Sequence, residues 1–193
     1  MTITKKRVYF AFHYQDVEDF RANVVRNSNV VEGVDGAGFY DCSIWEEAKR
    51  TDASALKRLI NKELNGTSIT AVLIGSDTWS RRWVRYEIMK SVERGNNVIG
   101  IHINKIKGKD GQTKPQGTDP FCCLGISVSD DGKIVCPASW NGKEWSFYTE
   151  IDNFQTPTHW QLFKGRTNML SRFFPTYDWI DNDGYNNFSK WIQ

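Results

Sequence analysis

Apolar positions fall into two rhythms along this chain. In RVYFAF, Arg7 to Phe12, β-branched and aromatic residues run together, as in a strand. The polar turn HYQD follows. In DVEDFRANVVRNSNVV, Val17, Phe20, Val24 and Val25 recur at helical spacing, with Asp16 placed to cap the helix. The glycine-rich EGVDGAG then reads as a loop, and FYDC, from Phe39, as a short second strand. After the polar connection SIWEEAKRTD, Leu56, Leu59, Ile60 and Leu64 mark a second helix that starts at Asp52 or Ser54 and is closed by Asn65-Gly66. A third strand is predicted over Ile69 to Gly75, a third helix from Ser80 to Arg94, and a fourth strand over Val98 to Ile103.

Strands alternating with helices predict an α/β fold with a mostly parallel sheet flanked by helices. Right-handed crossovers in such a sheet put ligands beyond the carboxyl ends of the strands. The loops to watch are those after Phe12, Asp41, Ile74 and Ile103. Beyond Asn104 the rhythm changes. KIKGKDGQTKPQGTDP is polar and turn-rich. The next stretch carries two hairpin dipeptides, Asp131-Gly132 and Asn141-Gly142, which predict a small antiparallel insertion. At the end, Tyr185, Phe188, Trp191 and Ile192 share one face of a short helix. The expected organisation is an α/β core over residues 1–104 and an extension over 105–193, with β-hairpins and a terminal helix, packed on the core as one domain.

Composition narrows the function classes. The 193 residues suit one domain. Eight Trp, seven Tyr and eleven Phe imply a large aromatic payload in the core or a ring-lined pocket. A net charge of +2 is too balanced to imply a nucleic-acid partner, and Lys105 to Lys109 reads as a solvated loop. No signal peptide and no apolar segment of membrane-spanning length are visible, so no membrane partner is expected. Cys42, Cys122, Cys123 and Cys136 form no CxxC pair, and only three histidines are present. Free thiols in a reducing cytoplasm, with no metal site, are the expectation.

The chemistry centres on the third helix. Trp83 and Glu87 stand four residues apart and share a helical face, close to the end of the third strand. Two readings stay open. In one, Glu87 pairs with Arg81, Arg82 or Arg94 and Trp83 packs in the core. In the other, Glu87 is a carboxylate in a partly desolvated pocket, where its charge acts strongly on a cation forming nearby. Breaking a glycosidic bond forms such an oxocarbenium-like cation. One carboxylate suffices when the leaving group is already cationic, as nicotinamide on NAD+ is.

These residues resemble a family. SDTWSRRWVRYEI is similar to the start of the helix after the third strand in TIR domains, where the catalytic glutamate ends a WxxxE element. RVYFAFHYQD resembles the first TIR strand and its loop, and VIGIHI the fourth strand. The nearest resemblance is to the TIR-like subgroup of Thoeris antiphage defence, with WVxxEI and GNNVIGI in the same order, over Val8 to Ile103. Arg81 stands where the subgroup usually has serine, and the usual fifth strand has no evident counterpart. The resemblance implies a flavodoxin-like TIR fold. It also implies cleavage of NAD+ at the nicotinamide–ribose bond, closure of the product into a cyclic ADP-ribose isomer, and activation of a separate effector, ThsA, by that diffusible product. It maps the catalytic glutamate to Glu87, needs no cofactor beyond NAD+ as substrate, and implies homo-oligomers through TIR contacts.

Other positions carry paired readings. Phe10 reads as core; Phe12 either packs in the core or floors a pocket. His13 and Tyr14 are solvated loop residues or bind ribose and phosphate. Asp41 caps a turn or binds ribose hydroxyls, and Trp45 lies in the connection that resembles the TIR BB loop, as an interface anchor or site residue. Ser76 and Thr78 cap the third helix or hydrogen-bond the substrate, and Trp83 orients the substrate beside Glu87. A rival reading from another class is a non-catalytic TIR-like adaptor that recruits partners through the Trp45 loop, with Glu87 a structural ion-pair partner.

Overall fold

The computed structural model describes residues 7–28, 35–37 and 52–193. Strand β1 (Arg7–Phe12) is an interior strand of a five-stranded parallel sheet with β2 (Asp35–Ala37), β3 (Ile69–Ile74), β4 (Asn97–His102) and β10 (Thr176–Asp178), in the order β10-β4-β3-β1-β2. Every side chain of β3 is buried, which is why it reads as an unbroken apolar run rather than an alternation. Helices α3 (Ala53–Leu64) and α4 (Arg82–Glu93) serve one face of this sheet. Helices α2 (Arg21–Asn27) and α5 (Gly184–Trp191) serve the other. The α/β class, with a mostly parallel TIR-like sheet and an added antiparallel part, is as the sequence predicts.

Side-chain alternation along β1 divides the core. Tyr9 and Ala11 join Leu56, Ile60, Val84 and Ile88 on the α3–α4 face. Val8 and Phe10 join Val25, Trp179 and Phe188 on the other, where the Phe10 and Phe188 rings stack at 6.1 Å. The second sheet is antiparallel, ordered β7-β6-β5-β9, from β5 (Leu124–Val128), β6 (Ile134–Trp140), β7 (Trp145–Phe147) and β9 (Thr167–Met169), with β8 (Phe154–Gln155) also on β6. Both hairpin dipeptides turn where expected, with Gly132 and Gly142 at positive φ. Leu124, Ile126, Val128 and Val135 of this sheet belong to the same apolar cluster as α4. That explains why α4 is buried at Val84, Tyr86, Glu87, Ile88, Met89, Ser91 and Val92, on more than one face.

Four details differ from the sequence reading. The first helix is two: α1 (Tyr14–Glu18) and α2, separated by Phe20 in the left-handed region at φ 63°. Arg21 follows the break, and its buried guanidinium bonds to the carbonyls of Ile106 and Gln112 and to Asp19. A buried guanidinium needs such partners for its donors, and the break turns α2 to deliver them, leaving the Phe20 ring half exposed. Strand β2 lies within the glycine-rich stretch read as loop, while FYDC falls outside the described residues. The fifth parallel strand exists: it is β10, from far down the chain, pairing Thr176 with Gly100. Finally, Tyr185 is 46% exposed, so the buried face of the terminal helix is Phe188 and Ile192 with Trp191 partly covered. Among the described residues no helix is long and apolar enough to cross a membrane, and no group of three or more His, Cys, Asp and Glu residues is arranged to hold a metal.

Candidate active site

Glu87 lies in the middle of α4 and is only 5% exposed. Its Oε1 accepts a 2.5 Å hydrogen bond from the Tyr9 hydroxyl, which rises from the centre of β1. Burial pushes the Glu87 carboxyl up to about pKa 8, and the Tyr9 bond offsets part of that rise. The expected arginines turn elsewhere. Arg81 pairs with Asp77 at 3.6 Å and Arg82 with Glu150 at 2.6 Å; among the described residues Glu87 has no ion pair. The pocket reading of Glu87 and the ion-pair reading therefore part company in the geometry: the carboxyl is desolvated and meets a phenol instead of a cation.

Trp83 is half-buried against the same apolar cluster. The Arg82 guanidinium covers its ring at 4.7 Å and Tyr86 meets its edge at 6.1 Å. Strand β3 runs up to the rim of the sheet and α4 returns from it, so Trp83 stands one helical turn nearer the rim than Glu87. Tyr9 lies three residues before the end of β1, roughly 10 Å below that rim.

The rim itself is polar. Between the ends of β1 and β3, the neighbouring strands where chain order reverses, Asp16 is buried and Thr78 fully enclosed. The Thr78 hydroxyl accepts from the Gly75 amide at 2.9 Å and stands 3.5 Å from Asp16 Oδ2. Burial raises Asp16 to about pKa 6 while Lys114 and Arg21 pull it down. A strap, residues 104–119, crosses this rim. Lys114 bonds Asp19, its amide donates to the Asn104 carbonyl, and the Ser76 hydroxyl donates to the Pro115 carbonyl at 2.9 Å. At Gly117 a Cβ would come 2.1 Å from the Gly75 carbonyl oxygen, so only glycine lets the strap lie this close.

The structure places the sequence-derived candidates in three groups. Glu87 and Trp83 share the α3–α4 face. Ser76 and Thr78 sit at the rim, both engaged in bonds within the protein, with His13 half-buried just beyond β1 and Tyr14, read as a loop residue, exposed as the first residue of α1. Phe12 packs with the cluster on the opposite face of the sheet, away from Glu87. Asp41 and Trp45, and the thiol of Cys42, lie outside the described residues. Two residues outside the sequence-derived candidates matter here. Tyr9 reads in the sequence as part of an apolar strand, though a buried phenol requires a hydroxyl partner. Asp16 reads as a cap, but in the structure it is the third residue of α1 and buried.

A five-stranded parallel sheet with the 2-1-3-4-5 type of order, and a WxxxE element on the helix after β3, defines a TIR-like α/β protein. Residues 9–107 match the family model described as "Thoeris protein ThsB, TIR-like domain". Over 189 residues, 97% of this chain and 98% of the relative, the sequence is 51% identical to a protein of Bacillus cereus (strain MSX-D12) named "Putative cyclic ADP-D-ribose synthase ThsB1". The chain belongs to the Thoeris ThsB family of TIR-like proteins.

Proposed function

We propose that this protein cleaves NAD+ at the nicotinamide–ribose bond and closes the ADP-ribose unit into a cyclic isomer, a diffusible signal that activates the effector ThsA. The observation that carries the reading is the desolvated Glu87 carboxyl, free of any cation among the described residues, at the end of WxxxE in a ThsB-family fold. The name of the relative points to the same product class.

In this mechanism the N-glycosidic bond breaks with its electron pair leaving on nicotinamide, which departs neutral and needs no acid. Ionised Glu87 binds hydroxyls of the nicotinamide ribose and stabilises the developing oxocarbenium charge, an effect strengthened where water is excluded. A ribose hydroxyl of the same ADP-ribose unit captures the cation and gives up its proton; water in its place yields linear ADP-ribose. Trp83, nearer the rim, packs against the substrate and orients it. No metal or cofactor enters the scheme.

Glu87 must be ionised to act, so kcat/KM rises with pH through the free protein's value near 8. The bound substrate is a cation and favours the carboxylate, so the acid limb of kcat lies at lower pH than that of kcat/KM. The decisive comparison is wild type against Glu87→Gln, in purified form and in phage-infected cells, with nucleotides profiled by mass spectrometry. A cyclic ADP-ribose isomer from wild type alone is the expected result. Linear ADP-ribose alone would make the protein a plain NAD+ hydrolase. Equal product from a folded Glu87→Gln would remove Glu87 from the chemistry.

A further inference from the structure

We propose that Tyr9 is a positioning residue for the reaction, its hydroxyl orienting the Glu87 carboxyl and setting how readily that group gives up its proton; this rests on the proposed role of Glu87. The phenol is fully buried and comes from an interior strand of the parallel sheet, with β2 and β3 paired to either side of Tyr9. Its ring lies in the cluster that holds Ala11, Val72, Val84 and Ile88. The hydroxyl is thus carried on backbone paired on both sides. At 2.5 Å the contact is a short O–H···O hydrogen bond. It takes Oε1, and among the described residues no hydrogen bond reaches Oε2, which is the oxygen left to receive a ribose hydroxyl.

No other group on the neighbouring elements takes over this task. On α4, Arg81 turns to Asp77, Arg82 to Glu150, Arg85 to the Cys123 carbonyl and Lys90 to Glu93. On α3, Lys57 pairs with Glu150, and Asn61 receives the Tyr86 hydroxyl. Tyr148, from the antiparallel part, lies beside Arg82 and Arg85. Tyr9 is the one side chain that bonds to the Glu87 carboxyl among the described residues. A donor on a carboxylate favours its ionised form. Removing the hydroxyl therefore makes Glu87 harder to ionise, and a stronger donor makes it easier.

The test uses Tyr9→Phe and a chain with 3-fluorotyrosine placed at position 9, an isosteric phenol of lower pKa. Glu87 is followed in NAD+-free protein by 13C NMR of labelled glutamate carboxyls, its resonance assigned by loss in Glu87→Gln. The Tyr9→Phe carboxyl should titrate about one pH unit higher than wild type, and the fluorotyrosine protein lower. The acid limb of kcat/KM should move with it, giving roughly tenfold lower kcat/KM for Tyr9→Phe on that limb and convergence with wild type at high pH. A merely structural Tyr9 would lower the melting temperature and leave the limb in place. An unmoved carboxyl titration in both folded variants overturns the proposal. If the titration moves but wild type turns over no NAD+, the Tyr9–Glu87 pair stands, while the enzymatic reading fails and takes the reaction role of Tyr9 with it.

Discussion

A carboxyl that ionises near pH 8 in the folded chain and near 4.5 when unfolded ties stability to pH. Between those values the folded state holds the extra proton, so stability falls as pH rises, by up to about 1.4 kcal/mol per pH unit. Asp16 acts in the same direction over a lower window, from 3.8 to about 6. Glu87→Gln keeps the shape and stays neutral, so the difference between the two proteins isolates Glu87. Their melting temperatures should lie closest below about pH 4.5 and separate as pH rises, with the glutamine variant gaining roughly 4 kcal/mol over wild type by pH 8. An ion-paired Glu87 would give the opposite ordering, which differential scanning calorimetry across pH detects. At this scale the sequence was half legible. WxxxE marks Glu87, because helical spacing is a local property. Tyr9 and Asp16 could not be read, because one meets its partner on a helix far along the chain and the other is packed against Gly75 and Thr78, beyond β3.

At the scale of elements, the strap over residues 104–119 is the least local part. It is held to the rim through Lys114, Pro115 and Gly117, in addition to its own turn at Gly108–Gln112. Gly117→Ala puts a methyl against the Gly75 carbonyl and should lift the strap, at about 1–3 kcal/mol of stability. Hydrogen exchange should then show faster opening at Ile106 in the strap and at Gly75 beneath it, while α3 remains protected. Loss of protection in α3 to the same extent would mean that the strap and the core open together. The helix α3 and both hairpins were legible, since a cap at Asp52, an apolar stripe at Leu56, Ile60 and Leu64, and Asp-Gly or Asn-Gly turns act within a few residues. The break at Phe20 was not, because the demand of the buried Arg21 guanidinium comes from the strap.

For the whole molecule, the family match ends at residue 107, but the sheet does not. Strand β10 closes the β4 edge, and Trp179 and Phe188 are fully buried in the cluster beneath Phe10 and Ile101. Glu150, from the same tail, clamps Lys57 of α3 to Arg82 of α4. A chain cut after Lys107 would expose that cluster and an unpaired strand edge. It should be expressed as aggregate or melt without cooperativity, whereas full-length protein gives one transition by circular dichroism. A soluble, cooperative 1–107 fragment would contradict this. The alternation of strands and helices announced the class of fold, but a strand of three residues among turns gave no local sign that it completes the sheet. Its place late in the chain also sets a schedule for synthesis. On the ribosome, Gly100 must wait for Thr176 to emerge, so a nascent or prematurely terminated chain carries WxxxE long before it has the edge that holds α4's sheet together. Under the proposed function, such a site is completed only after β10 has emerged, and broken messages yield no stray signal.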